Sequence, residues 1–111
     1  MSDRIMISTT DSIAGYRATK WHGVVWGLTV RAKNIGTDFL AGCKSITGGE
    51  VGGYTDLLYE TRQQSIDRMI QRARELGANA VVEMRFGTST VAQGMAEIVA
   101  YGTAVTVEPA E

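Results

Sequence analysis

The sequence predicts an α+β domain, in which a small antiparallel sheet packs against one long and one short helix. An amphipathic stretch over residues 54–76 ends at Gly77 and leads directly into an alternating, strand-like stretch over residues 80–86. Two further stretches, residues 24–30 and 95–107, are apolar at successive positions, which is typical of strands covered on both faces. A chain of 111 residues holds one core, so residues 1–111 are treated as a single domain.

The long helix has the strongest pattern in the chain. Asp56 and Glu60 stand in its early turns, where the helix dipole favours acidic groups, and arginines occupy its second half. Gly77 is placed to end the helix in the left-handed conformation. The predicted buried stripe has spacings of three and four, with a gap around Arg62. Its members are Leu58, Ile66, Met69, Ile70, Ala73 and Leu76.

Two strands and a short helix are predicted before the long helix. Residues 6–9 predict a short strand and residues 16–33 a long one. Within the long strand, Gly23 and Gly27 indicate a bulge or a close approach of another backbone. The short helix begins at residue 37 or 38 and ends at the glycine pair 48–49. Its apolar face is formed by Phe39, Leu40, Cys43 and Ile46.

The C-terminal part predicts a hairpin of two strands. Residues 87–94 are rich in Ser, Thr and Gly, and we expect them to form the loop before the last strand, residues 95–107. Glu83, Arg85 and Glu97 are polar residues within the two strands. If the two strands pair as a hairpin, we expect these side chains to be cross-strand neighbours that can form ion pairs. They are either solvent-facing members of the alternation, or a charged layer at a subunit contact or lining the ring.

The dimensions of these elements predict that part of the sheet stays uncovered. A helix of about 22 residues is about 33 Å long, as is a strand of about 10 residues, so the helix can follow the sheet from end to end. However, strands are ~4.8 Å apart, so several strands are wider than one ~10 Å helix, and the sheet has a second face. Because the strands are apolar on both faces, we expect further copies of the chain to cover the remainder.

Composition excludes several classes of function. Eleven basic against twelve acidic residues give a net charge of −1, without the cationic surplus that binds nucleic acid or an anionic membrane. No apolar run approaches the ~20 residues of a membrane span, and the first residues do not resemble a signal peptide. A lone Cys43 forms no internal disulfide and fits a reducing compartment. We therefore expect a cytoplasmic protein.

Six segments, taken in order, resemble the hallmark segments of the YbjQ-like proteins. They are residues 7–10 (ISTT), 31–36 (RAKNIG), 48–50 (GGE), 54–55 (YT), 77–82 (GANAVV) and 100–105 (AYGTAV). The resemblance covers nearly the whole chain. It implies a β-α-β-β core of the dodecin-subunit type and assembly as a ring, expected to be a pentamer. It also implies the family's functional label, putative heavy-metal-binding.

A divalent metal ion is therefore the cofactor to weigh. Structural zinc takes four Cys or His ligands, commonly in close pairs, and this chain has one of each, 21 positions apart. The candidate ligands are His22, Cys43, Glu50 and Glu97. A ring would present each of them once per subunit, which could complete a site. The alternative, which we prefer, is that His22 is a partly buried packing residue.

Two other features invite a chemical interpretation. Cys43 lies on the apolar face of the short helix, where a buried packing role is favoured over a reactive thiol, because no neighbouring base is evident. Residues 48–53 (GGEVGG) precede the long helix like a phosphate-binding loop. They lack the Lys-Ser/Thr of a P-loop, and Glu50 would repel phosphate, so a flexible corner is favoured.

Three functions follow, in order of preference. The first is a ring-forming binding protein for a metal ion or small ligand at subunit interfaces. The second is a structural or adaptor homo-oligomer with a protein partner and no ligand. The third is an enzyme, which is disfavoured because the sequence shows no catalytic constellation.

Overall fold

The computed structural model describes residues 4–32, 52–92 and 95–111. Its elements, in chain order, are β1 (Met6–Ile7), β2 (Tyr16–Ala32), α1 (Gly52–Glu75), β3 (Ala80–Ala92) and β4 (Met95–Pro109). The predicted short helix and the glycine-rich corner before α1 fall mostly on residues 33–51, which lie outside the described residues. The α+β prediction is confirmed, with the β-α-β-β order in β2, α1, β3 and β4.

The four strands form one sheet in the order β1-β3-β4-β2. The three long strands are antiparallel as predicted, since β4 lies between β2 and β3 and pairs with both in that sense. The short β1 adds to the outer side of β3 in a parallel sense, with Met6 opposite Ala80. The complete sheet is therefore mixed, and β1 and β2 lie at its opposite edges.

The prediction of a loop over residues 87–94 is wrong for most of its length. Strand β3 continues to Ala92, with Thr88 opposite Ile98 and Ser89 opposite Glu97. Serine and threonine in this stretch resemble loop residues by composition, but the stretch pairs with β4 along one side and is therefore a strand. Threonine is moreover a good strand former. Strand β3 ends at Ala92 and β4 begins at Met95, and these two residues face each other across the strand pair.

Helix α1 covers one face of the sheet and packs mainly on β2 and β4. Met69 and Ala73 of the predicted stripe are fully buried, and they share a core with Val25, Ala100 and Ala104. Arginines in the last turn of α1 match the sign of the helix dipole there. The helix is thus held by its apolar stripe, as the spacing predicts.

Three glycines have the backbone roles expected of them. Gly77 ends α1 with φ +88°, and Gly23, with φ +105°, follows a register irregularity in β2. Gly27 faces α1 so closely that a β-carbon there would lie 2.0 Å from the carbonyl oxygen of Ser65. The helix and β2 therefore touch backbone to backbone at Gly27.

Hydroxyl groups fill the gap in the helical stripe around Arg62. Thr61 and Ser65 are buried on the face of α1 that meets the sheet. The Ser65 hydroxyl oxygen lies 3.0 Å from that of Thr29 on β2 and 3.1 Å from the carbonyl oxygen of Ile98 on β4. These polar groups are buried but hydrogen-bonded, so the close contact at Gly27 costs no unpaired donor or acceptor.

The opposite face of the sheet is covered at one end. The chain from β1 to β2 must cross between the two edges, and Ile13 in this connection packs on that face together with Met6. They cover a second small core on β3 and β4, formed by Ala80, Val82, Val105 and Val107. The remainder of this face carries exposed apolar side chains of β2 and β4.

Candidate functional site

Apolar side chains stand exposed on the sheet face away from α1, beyond the end covered by the β1–β2 connection. We call this surface the open face. Trp21, Val24 and Trp26 are 61%, 64% and 60% exposed, respectively. The full set is Trp21, Val24, Trp26, Leu28 and Val30 of β2 with Val99 and Tyr101 of β4. Two cross-strand pairs hold it together, Trp26 opposite Tyr101 and Leu28 opposite Val99.

The two-residue alternation of β2 produces the open face. Val25, Gly27 and Thr29 are buried beneath α1, so the residues between them point to the other side. Those intervening positions are also apolar, which is the two-sided pattern that the sequence shows. The structure therefore confirms that α1 leaves apolar sheet surface uncovered in the described part of the chain.

The open face is large for a chain of this size. Aromatic side chains carry roughly 150–250 Å² each. At exposures of 61%, 60% and 41%, Trp21, Trp26 and Tyr101 alone leave roughly 250–400 Å² open. The aliphatic members bring the patch to about 500 Å². This is towards the upper end of the ~300–600 Å² of the largest patch on a typical monomer, and such patches are often functional.

His22 lies away from the open face, at the irregularity of β2. Its ring is half-buried, and Nε2 lies 2.7 Å from the hydroxyl oxygen of Thr106. The same hydroxyl lies 3.5 Å from the carbonyl oxygen of Gly77, at the end of α1. His22 thus has a hydrogen-bonding partner within the chain, in agreement with the packing alternative.

Glu97 lies at the other end of the strand pair from His22. It faces Val30 across the β2–β4 pairing and Ser89 across the β3–β4 pairing, and the Ser89 hydroxyl donates to Glu97 Oε1 over 3.2 Å. Thr106, the partner of His22, is nine positions further along β4, which corresponds to about 30 Å at ~3.3 Å per residue. One chain therefore cannot bring His22 and Glu97 to a single ion.

The structure does not assemble the predicted metal ligands within one chain. Cys43 and Glu50 lie outside the described residues. Among the residues that the structure does describe, no three His, Cys, Asp or Glu side chains are grouped as metal ligands. His22 and Glu97, the two predicted ligands that the structure describes, therefore do not share a site within one chain.

The expected ion pairs between Glu83, Arg85 and Glu97 are not formed. A bulge in β3 puts Glu83 at φ +53° and shifts the register, so that Arg85 stands opposite Tyr101. The Arg85 guanidinium donates instead to the carbonyl oxygens of Thr9 and Met84, over 2.8 and 2.9 Å. The simple alternation assumed for these residues was wrong, because the bulge changes which residues face each other.

The β1–β2 connection lies alongside this bulge and is hydrogen-bonded to it. The amide of Glu83 donates to the carbonyl oxygen of Thr10 over 2.9 Å, and that of Met84 donates to the carbonyl oxygen of Ser8 over 3.0 Å. This contact was not predictable from the strand patterns. The Ser/Thr-rich turn of residues 8–12 is a local sequence signal for this connection. The bulge itself has none, because a non-glycine residue at positive φ cannot be recognised from its residue type.

The geometry defines a class of protein: a two-layer β-α-β-β domain with a helix on one face of its sheet and an apolar, partly open second face. Within the described residues, no helix combines the length and apolarity required to cross a membrane. The chain belongs to the YbjQ-like family, whose model bears the description "putative heavy-metal-binding" and matches residues 5–108.

Curated relatives agree with this assignment. The chain is 50% identical over 109 residues to a UPF0145 protein of Methanocella arvoryzae, covering 98% of this chain and 91% of the relative. It is 49% identical over 106 residues to a UPF0145 protein of Thermus thermophilus, covering 96% and 93%. A crystal structure of a DUF74-family protein of unknown function from Pediococcus pentosaceus matches with a TM-score of 0.61 at 15% identity, covering 94% and 98%. This last likeness shows the fold alone.

Proposed function

We propose that the protein is a ring-forming binding protein, which assembles from identical copies and holds a metal ion or small ligand at the subunit interfaces. One observation carries the assembly, namely the open face. The family's description supports the ligand, and the resemblance supports a pentamer of about 60 kDa, five times the chain mass of 12.0 kDa.

A second copy of the chain is the occupant that best fits the open face. The patch of about 500 Å² is most of the ~800 Å² that each partner buries in a standard interface. It is aromatic and aliphatic at its centre, as interface cores are, and its charged neighbours lie at its border, Arg85 opposite Tyr101 and Glu97 opposite Val30. Identical copies are the commonest partners of such surfaces in soluble proteins.

The metal proposal requires the assembly. Since His22 and Glu97 are far apart in one chain, a shared ion would need equivalent residues repeated around an axis, or ligands from adjoining subunits. Histidine is a ligand for borderline metals such as zinc and copper, whereas a carboxylate alone suits harder ions. With so few nitrogen and sulfur ligands per chain, we expect metal binding to be weak.

A structural or adaptor homo-oligomer with a protein partner and no ligand is the second candidate. The observation that favours it is the hydrogen bond between His22 and Thr106, which gives the candidate ligand a partner without metal. We propose binding or scaffolding in preference to catalysis, because the sequence offers no nucleophile beside a base. The lone Cys43 supports a cytoplasmic location.

The assembly is tested by two substitutions of aromatic residues. Trp26→Lys places a charge in the centre of the open face and should reduce the mass measured by light scattering to that of a monomer. Tyr59→Lys is the matched control, since Tyr59 is 73% exposed on α1, remote from the open face, and should leave the mass unchanged. A folded wild-type protein of 12.0 kDa at micromolar concentration would refute the ring.

The ligand is tested by thermal unfolding against a panel of divalent metals and metabolites. A ligand that binds the folded state raises the melting temperature, by an amount set by its concentration relative to Kd. A shift with a metal that His22→Ala abolishes would support the binding protein. Absence of any shift across the panel, with the oligomer intact, would favour the adaptor.

A further inference from the structure

Strand β2 forms one edge of the sheet along all its 17 residues. Its inner side pairs with β4, and among the described residues no strand pairs with its outer side. The Arg68 guanidinium reaches from α1 to this strand and donates to the carbonyl oxygen of Leu28 over 2.6 Å. Because an arginine of α1 can reach it, this carbonyl points outward from the sheet edge.

The outward direction of Leu28 fixes that of its neighbours. In an antiparallel pair, residues alternate between bonding the partner strand and pointing away from it. Val24, Trp26 and Val30 therefore present their N–H and C=O groups to the outer edge together with Leu28, and these residues also carry the open face. Between Trp21 and Val30 there is no Lys, Arg, Asp, Glu or Pro, the residues that commonly block an edge. Arg68 protects this edge at a single position, the carbonyl oxygen of Leu28.

Strand β3 presents a second edge that is partly free. Strand β1 pairs with it at Ala80 and Val81, and the β1–β2 connection bonds it as far as Met84. Beyond that point, within the described residues, its outer side faces no strand. Because Leu28 points away from its partner Val99, the backbone groups of Val99 point to β3, where they meet those of Gly87. By the same alternation, Phe86 and Thr88 direct their backbone groups outward.

The two free edges have matching directions. Both β2 and β3 are antiparallel to β4, so they run parallel to each other at opposite sides of the long-stranded sheet. Copies placed side by side would bring β2 of one against β3 of the next without inverting either. Such a head-to-tail contact repeats, and it closes into a ring if the rotation per subunit permits.

We propose that the outer edge of β2 in one subunit pairs, main chain to main chain, with the outer edge of β3 beyond Met84 in a second copy. This rests on the proposed homo-oligomer and specifies its contact. The hydrogen bond from Arg68 to the Leu28 carbonyl oxygen breaks, and an amide of the second copy donates to this oxygen instead. Gly87 lies on the same sheet face as Tyr101 and Val99, whose side chains pack over it.

Amide hydrogen exchange on the oligomer tests this pairing directly. In the assembled protein, the outward amides of Trp26, Leu28 and Thr88 should exchange at least about 100-fold more slowly than in an unstructured peptide, because each is then hydrogen-bonded. Val25 and Gly27 bond β4 in any state and serve as internal controls. Outward amides exchanging within about 10-fold of peptide rates, in a protein that light scattering shows to be oligomeric, would overturn the edge pairing alone. A monomeric protein would overturn the proposed ring as well.

A proline variant provides a second measurement. Leu28→Pro removes an outward N–H, which faces no strand among the described residues, and should give a folded chain with the mass of a monomer. Thr29→Pro is the control, since it removes an inward N–H of the β2–β4 pairing and should disrupt the subunit itself. A Leu28→Pro protein that retains the wild-type oligomeric mass would overturn the proposal. If this variant does not fold, the exchange of the outward amides in the wild type decides.

Discussion

Gly27→Ala should destabilise the protein strongly, because α1 and β2 meet at this residue without space for a methyl group. A β-carbon at Gly27 would lie 2.0 Å from the carbonyl oxygen of Ser65 and 2.4 Å from the amide nitrogen of Met69. Both obstacles are helix backbone, which cannot rotate away as a side chain can. To regain an ordinary contact of 3.4 Å, the Ser65 carbonyl would have to move by 1.4 Å, the difference between 3.4 and 2.0 Å.

The cost follows from what such a movement breaks. Overpacking of a well-packed core costs about 1–3 kcal/mol, and a backbone obstacle places this substitution at about 3 kcal/mol. The same movement would separate the Ser65 hydroxyl from Thr29 and from the Ile98 carbonyl. For a domain of this size, about 3 kcal/mol lowers the melting temperature by about 12 °C or more.

Thermal unfolding monitored by circular dichroism measures this effect. All variants are compared at one protein concentration, because the melting temperature of an oligomer depends on concentration. Gly77→Ala is the matched control. It introduces the same methyl group at φ +88°, with nothing within 4 Å of the added carbon, so it should cost about 1–2 kcal/mol of backbone strain alone. A Gly27→Ala protein that melts at or above the temperature of Gly77→Ala would refute the close backbone contact.

Two further predictions concern the bulge and the metal. Glu83 has φ +53°, so Glu83→Gly should leave the free energy of unfolding unchanged or raise it by up to about 1 kcal/mol, whereas Glu83→Val should lower it by more than 1 kcal/mol; urea unfolding separates the two. Chelation should leave the fold and the oligomeric mass intact, as should His22→Ala, because the described ligand candidates do not meet in one chain. Dissociation or unfolding on chelation would show that a metal is part of the structure.

The sequence predicted those elements whose pattern is local. The stripe through Met69 and Ala73, followed by Gly77, predicted α1 and its end within two or three residues, because helix periodicity and termination depend on near neighbours. The predicted alternatives for Gly23 and Gly27, a bulge and a close approach, are both seen, one at each residue. The two-sided apolar pattern of β2 also predicted the uncovered face.

Features that depend on pairing between distant residues were not predictable in this way. Residues 87–92 form a strand because β4 pairs with them, although their composition is that of a loop. The distance between His22 and Glu97 follows from the register of β2 on β4, which the sequence does not reveal. Thr61 and Ser65 continue the stripe of Met69 at intervals of four, so their spacing is a signal of burial, although their polar side chains are typical of an exposed face.

If the protein self-associates as proposed, the two faces of β2 have different roles: one packs within the subunit and the other contacts a second copy. Val25, Gly27 and Thr29 lie beneath α1, so substitutions there should lower the stability of the subunit. Val24, Trp26 and Leu28 contribute little to the packing of a single subunit, as they are 40–64% exposed. Polar substitutions at these three positions should therefore weaken self-association while leaving the isolated subunit folded. The two sets of residues alternate along the same strand and occupy opposite faces. If polar substitutions on the open face also lowered the stability of the isolated subunit, the open face would be covered within the chain, and not by a second copy.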